Sequence, residues 1–336
     1  MKTATIHLEY QNYIDLPPQT PQELHAQACV NDGPTISAWR STWEKNVKEN
    51  HDKYGSFAAK SIGKLYGLCN MKPVIIVGSG PSLKDNCAEL KNKKDITVVS
   101  CLHNFHFMED SGCPADFYVS LDAGEVVIEE VYEGGSKTQD DYWSLTKNRT
   151  LLCYIGTSPR LLEKWQGEIL FFNAPVPDHE FTKYVDEIEL FNTYVSSGGN
   201  VLGACLYISK AYLGASVIAF MGADFCFSYE NKFHGWDSKY DAKMGYVMKV
   251  TDVYGIPVKT WKSYHNFKGW FEYVTLNVPG IYYNCSEGGT LGAYKEGNLR
   301  SLIQMPIKDF LRQMTMYSEI EEQAKNPMVQ EKKLLF

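Results

Sequence analysis

Pro73-Val-Ile-Ile-Val-Gly-Ser-Gly-Pro-Ser-Leu83 is the stretch from which the fold can be read. Val74 to Val77 are consecutive branched aliphatics, the pattern of a strand buried on both faces in a parallel sheet. The strand runs into Gly78-Ser-Gly-Pro-Ser82, a tight turn that a helix is expected to follow over about 82–92. Glycine allows a sharp turn and close backbone approach to a ligand, and Ser82 is placed to cap the helix. A helix start of this kind suits a phosphate or another anion. An ordinary strand–turn–helix junction has the same sequence, so the weight rests on what comes later in the chain.

Further along, Ile96–Cys101, Asp116–Asp122, Thr150–Ile155, Glu168–Phe172, Ala215–Met221 and Gly280–Asn284 read as buried strands. Helical segments alternate with them: Pro159–Trp165, Val201–Leu213 and Phe267–Leu276. That alternation defines an α/β fold: doubly wound, Rossmann-like, with a mostly parallel sheet and helices on both faces. Helical additions are expected at both ends. Residues 1–70 read as an irregular arm, broken at Pro17-Pro18 and Gly33-Pro34, with a helical lead-in from Thr35 to about Leu68. Residues 71–295 form the catalytic domain, and 296–336 a tail that is helical from Leu299 to about Ala324. Gly255–Thr260 reads as an edge hairpin or strand, and Glu133–Asp141 as a loop or lid.

With 336 residues, 44% hydrophobic and 22% charged, the chain has the composition of a folded soluble protein. A net charge of -7 with scattered basic residues gives no support to nucleic-acid binding. No run approaches the roughly 18 apolar residues of a membrane span, and the first ten residues lack a signal-peptide core. Nine irregularly spaced cysteines without a CxxC pair fit reduced thiols and a cytoplasmic location.

Ligands of open parallel sheets bind beyond the carboxyl ends of the strands. Polar and glycine residues fall there repeatedly: Gly78, Ser79, Gly80, Pro81 and Ser82; His103 and Asn104; Asp122; Ser197, Gly198, Gly199 and Asn200; Gly222 and Asp224; Asn284, Ser286, Glu287, Gly288 and Gly289. The first and fourth groups offer N–H groups and hydroxyls to a nucleotide's phosphates. Asp122 and Asp224 are candidate Mg²⁺ ligands and catalytic residues, with Glu287 a further hard oxygen donor. His103 or His106 is a candidate base. Gly222 and the 284–289 turn are assigned to substrate. His234, His265 and the aromatic segment Phe225–Trp236 offer rings for stacking. No GxxxxGK[ST], HExxH or GxSxG motif occurs, and Leu83 stands where a dinucleotide fingerprint needs its third glycine.

Together these residues resemble the MptE-like family, which includes archaeal 6-hydroxymethylpterin diphosphokinases and bacterial motility-associated factors. The resemblance rests on Val74–Leu83, Ser197-Gly-Gly-Asn-Val201, Gly222-Ala-Asp224, Asp252–Thr260 and Asn284–Gly289, with Trp43 and Asn46 in the lead-in, and spans about 35–295. It implies a nucleotide-dependent transferase. The first expectation is transfer of diphosphate from ATP to a hydroxymethylpterin-like acceptor with Mg²⁺. The alternative is glycosyl transfer from a CMP-activated nonulosonic acid, because the Gly-Ser-Gly-Pro-Ser-Leu turn also resembles that of bacterial sialyltransferases. Ser286-Glu-Gly-Gly289 departs from that second pattern, supplying no histidine base. A non-catalytic nucleotide- or glycan-binding protein is the third. The expected partner is a small nucleotide, with no nucleic acid and no membrane; the acceptor and the oligomeric state, a homo-oligomer included, are left open.

Overall fold

The computed structural model describes residues 21–70, 72–236, 247–294, 297–298 and 301–325. Its strands are β1 (Pro73–Val77), β2 (Thr97–Cys101), β3 (Phe117–Ser120), β4 (Thr150–Tyr154), β5 (Glu168–Phe172), β6 (Val217–Met221), β7 (Val247–Thr251), β8 (Pro257–Trp261), β9 (Ile281–Asn284), β10 (Ala293–Tyr294), β11 (Gly297–Asn298) and β12 (Leu302–Gln304). Eight of them form one sheet in the order β12-β9-β6-β1-β2-β3-β4-β5, and every neighbouring pair is parallel. The apolar runs of the sequence explain this arrangement. Val74–Val77, Val98–Cys101 and Ile218–Met221 are buried at every position, as strands covered on both faces must be. β7 and β8 form a separate antiparallel hairpin, in agreement with the hairpin reading of Gly255–Thr260.

The helices are α1 (Pro21–Tyr54), α2 (Leu83–Asn86), α3 (Phe105–Asp110), α4 (Gln139–Leu145), α5 (Pro159–Lys164), α6 (His179–Ile188), α7 (Val201–Tyr207), α8 (Lys262–Asn277) and α9 (Ile307–Lys325). α7 packs on β1, β2 and β3, and α1 packs on α5 and α6. One continuous apolar core holds Val47 of α1, the sheet, and Phe310 of α9.

Three local expectations give way. Gly33-Pro34 does not break the lead-in, because α1 runs through it from Pro21. One N–H bond lost at a proline does not outweigh the remaining bonds of a 34-residue helix. The helix after the β1 turn is only Leu83–Asn86 and continues as tighter 3-10 turns over Cys87–Asn92. At the other end, Leu302–Gln304 pairs in parallel with Tyr282–Asn284 as the eighth strand, and helix begins only after Pro306. The Glu133–Asp141 loop closes into α4 through a capping box, in which the Thr138 hydroxyl accepts from Asp141 N–H and the Asp141 carboxylate from Thr138 N–H. Residues 1–20, part of the expected arm, lie outside the described residues.

Two asparagines join the lead-in to the sheet's carboxyl end. Asn46 Nδ2 donates to Ala123 O and Gly156 O, each at 3.0 Å. Asn50 Nδ2 donates to Ile155 O at 2.8 Å and Thr157 O at 2.9 Å. Asn50 is fully buried. Asn50→Ala removes the donor from two buried carbonyls and is expected to lower the unfolding free energy by about 2 kcal/mol, read by urea denaturation.

Candidate active site

The chain leaves β1 towards β2 on one side, while β6 returns on the other, so the topological switch point lies between β1 and β6. Their carboxyl-terminal turns interlock there through backbone. Gly78 N–H donates to Met221 O and Gly80 N–H to Gly222 O, both at 2.8 Å. A Cβ at Gly78 would lie 2.6 Å from Gly222 O, and one at Gly222 would lie 2.3 Å from Gly78 O. Gly222 also has φ +58°, a region that side chains rarely adopt. These glycines are therefore required by each other, before any ligand.

Asp224 closes the same junction. Its Oδ2 accepts from Ser82 N–H at 2.8 Å and its Oδ1 from the Ser82 hydroxyl at 2.7 Å. A Cβ at Gly80 would come within 2.4 Å of Oδ2, so the turn is shaped to this carboxylate. Burial pushes the Asp224 carboxyl up to about 6, against the opposing effect of the two Ser82 bonds. Ser82 makes no capping bond to its helix, and Leu83 N–H turns back to Gly80 O. Among the amides of this turn, that of Ser79 donates to no group in the described structure.

A cavity of about 200 Å³ opens beyond these turns. Gly78, Ser79, Gly80, Gly222 and Asp224 form one side of it, and Asn200 at the start of α7 another. Asn200 Oδ1 accepts from Gly203 N–H at 2.9 Å, whereas its buried Nδ2 has no partner among the described residues. Ser79 and Asn200 thus present uncharged donors. Phe225, Phe233, Tyr264 and Phe267 supply an aromatic wall.

His103, Asp122 and Glu130 also line the cavity. Asp122 follows β3 and is exposed to solvent. The protein packed around it nevertheless raises its carboxyl above the ordinary range. Burial, then the nearby Asp122 and Glu133 charges, push Glu130 up to about 8. His103 sits edge-on to His234 and Trp236, at 4.4 and 5.2 Å between ring centres. Burial, with the neighbouring His234 and His106, brings it down to about 3, so the ring is neutral at ordinary pH.

The other expected site residues hold the scaffold. Asn104 Nδ2 donates to Val77 O and Ser100 Oγ, fixing the end of β1. Gly198 and Gly199 make room for Trp270 and Phe267, whose rings a Cβ would meet at 2.4 and 2.8 Å. Ser197 Oγ accepts from Gly199 N–H within the same turn. Asn284 Oδ1 accepts from Ser286 N–H, and the Ser286 hydroxyl accepts from Ala223 N–H. Glu287 Oε1 accepts from Ile307 N–H at the start of α9. Gly289, at φ +77°, packs against the Asp224 backbone, and Gly288 lies beside Ser82. None of these, nor Pro81, Ser82, His106 or His265, lines the cavity. His106 instead directs Nδ1 to Glu130 O at 3.3 Å, and His234 stacks on Trp236.

Sequence reading missed Glu130, Tyr264 and Phe267. Glu130 lies in a 3-10 helix, Glu125–Val131, whose only signal is acidic residues interleaved with buried Val127, Ile128 and Val131. Tyr264 enters because α8 begins at Lys262, a turn before the expected helix.

The expected Mg²⁺ pair, Asp122 and Asp224, does not form an open chelate, because both Asp224 oxygens are engaged by Ser82. Among the described residues, no three His, Cys, Asp or Glu side chains group to hold a metal ion.

Fold and cavity together define a Rossmann-like α/β protein with a cavity at the switch point, lined by carboxyls, uncharged donors and aromatic rings. Residues 41–230, more than half of the chain, match the MptE-like family, described as 6-hydroxymethylpterin diphosphokinase MptE-like, and the chain belongs to that family. The matched region contains both interlocked turns but not Asp252–Thr260 or Asn284–Gly289. No curated protein matches the chain. Among solved structures, it is similar to the MAf glycosyltransferase from Magnetospirillum magneticum AMB-1, with a TM-score of 0.51 and 15% identity over 74% of this chain. The chain spans 38% of that protein's length, and at this identity the likeness is one of fold. Among the described residues, no helix is long and apolar enough to cross a membrane.

Proposed function

We propose that this protein is a transferase acting on a nucleotide-activated donor, and that the donor is a CMP-linked nonulosonic acid. The observation that carries the reading is a cavity that Asp122, Glu130 and Asp224 line together with the glycines of the β1–β6 turns. A triphosphate brings three to four negative charges and needs fixed cations around it, whereas a CMP-linked nonulosonic acid brings fewer, one on its phosphodiester and one on its carboxylate. Described residues lining the cavity include three carboxyls and no Lys or Arg. Charge balance therefore favours the diester, held by the uncharged donors of Ser79 and Asn200. Glu130, once ionised, takes the proton of an acceptor hydroxyl as the oxygen of that hydroxyl bonds to the anomeric carbon. The bond from that carbon to the phosphate oxygen breaks, and CMP leaves with the electron pair. Neutral His103 orients the acceptor rather than carrying a charge.

The second reading is diphosphate transfer from ATP to a pterin, with Mg²⁺ carried in by the nucleotide. It is favoured by the family's own description, and the aromatic wall of Phe225, Phe233, Tyr264 and Phe267 would take a flat ring. Calorimetric titration with CMP, CTP, GTP and ATP, each with and without Mg²⁺, separates the two. CMP is expected to bind with an affinity indifferent to Mg²⁺ and to bind more weakly in Asn200→Ala. Mg²⁺-dependent ATP binding without CMP binding would replace the glycosyl reading with the phosphoryl one. Absence of binding to all of them would point to a non-catalytic protein.

A further inference from the structure

Three consecutive residues beside the cavity, His234, Gly235 and Trp236, do not line it. Each nevertheless holds a group that does. Gly235 N–H donates to Ser79 O at 3.2 Å. Gly80 N–H, on the same peptide unit, donates to Gly222 O, so that peptide is held from both sides. The amide just before it, that of Ser79, is the unpaired donor of the β1 turn. A Cβ at Gly235 would lie 3.2 Å from Lys84 N and 3.4 Å from Gly80 O, so the segment packs directly on that turn.

Trp236, half-buried, makes the remaining contacts. Its indole stacks on His234 at 5.0 Å and on Phe107 at 5.4 Å between ring centres. It stands edge-on to His103 at 5.2 Å and to His106 at 4.9 Å. His103 makes no hydrogen bond among the described residues, so its orientation rests on packing, in which His234 and Trp236 are its ring contacts. His106 in turn donates from Nδ1 to the backbone carbonyl of Glu130 at 3.3 Å.

We propose that His234-Gly235-Trp236 is a positioning element that sets the donor and acceptor sides of the transfer site together. Through Gly235 it fixes the peptide next to the Ser79 donor. Through Trp236 it fixes His103 and, by way of His106, the backbone of Glu130. None of the three residues touches the reacting atoms. The inference rests on the transferase reading for what is positioned, whereas the contacts themselves do not. One segment gripping both sides matters because a misplacement of about 1 Å between reacting groups costs on the order of 10²-fold in rate.

The first arm of the test is an NMR titration of the His103 ring in the full chain. In the wild-type protein that ring stays neutral through about pH 5–8, the range in which an ordinary histidine titrates. Burial and the neighbouring His234 and His106 oppose its proton, while Asp122 and Glu130 line the same cavity. Trp236→Ala opens the cluster to water, so the titration of His103 moves up into that range, and Trp236→Phe keeps the wild-type behaviour. Trp236→Leu, which retains apolar bulk, repeats the test with the same expected direction where Trp236→Ala does not fold. The second arm is calorimetric titration with CMP. Gly235→Ala is expected to weaken binding roughly 2–10-fold, the share of one hydrogen bond. Gly255→Ala, at a glycine with open space around it, leaves binding unchanged. A His103 titration unaltered by loss of the indole overturns the hold on His103, and CMP affinity unaltered in Gly235→Ala overturns the hold on Ser79. A wild-type protein that binds no CMP removes the donor of the transferase reading, and the His103 titration then decides this inference alone.

Discussion

Gly222→Ala is expected to lower the unfolding free energy by about 4 kcal/mol, enough to remove much of the stability of an ordinary domain. Two effects add. The residue has φ +58°, and an L side chain in that region costs roughly 1–2 kcal/mol. The new Cβ would also lie 2.3 Å from Gly78 O and 3.0 Å from Gly78 C, which are backbone atoms without a rotamer to change. Overpacking of that kind costs about 1–3 kcal/mol. Gly255→Ala is the control, since Gly255 has φ +79° but nothing within 4 Å of the added atom. It is expected to cost only the conformational part, about 1–2 kcal/mol. Urea denaturation of both variants separates the terms. Equal losses in the two would show that the β1 and β6 turns do not press on each other as described.

Glu130→Gln is expected to reduce turnover by about 10²–10⁴-fold, the usual share of a general base, and Asp122→Asn by less, each with little change in donor KM. The pH profile carries more information than the rate. The base must be ionised, and Glu130 is pushed up to about 8, first by burial and then by Asp122. Turnover should therefore rise with pH and level off above about 8. In Asp122→Asn the neighbouring charge is absent, so Glu130 ionises more readily and the residual activity should level off at lower pH. A profile of turnover against pH, measured in the wild-type protein and both variants, checks the sign. A limb that stays in place in Asp122→Asn would separate the two carboxyls and move the base elsewhere, with His103→Gln the next variant to make.

Some of this protein follows from its residues taken in order. Val74–Val77 can hardly be anything other than a strand covered on both faces, because an unbroken branched-aliphatic run has no polar side to give to water, and Val98–Cys101 and Ala215–Met221 each come close with a single serine. Helices between such strands force a parallel, doubly wound sheet, and that sheet fixes where a ligand crevice opens. The glycine turns, Asn200, His103, Asp122 and Asp224 were legible because they sit at strand or helix ends. Their division of labour was not. Gly222 and Gly289 look like ligand-cradling residues, yet their glycines answer to Gly78 O and the Asp224 backbone across the junction. Asp224 looks like a metal ligand, yet Ser82 engages both its oxygens. Glu130 carries little local signal, and only the fold of Glu125–Val131 brings it to the cavity that Asp122 also lines. Leu302–Gln304 likewise becomes a strand only because the edge of β9 is there to pair with it. Periodicity and turn chemistry are properties of neighbours in sequence, so the chain alone determined the sheet and the position of its crevice. Which polar group faces the ligand and which is consumed by another turn depends on contacts between distant residues, and the tertiary structure decided that.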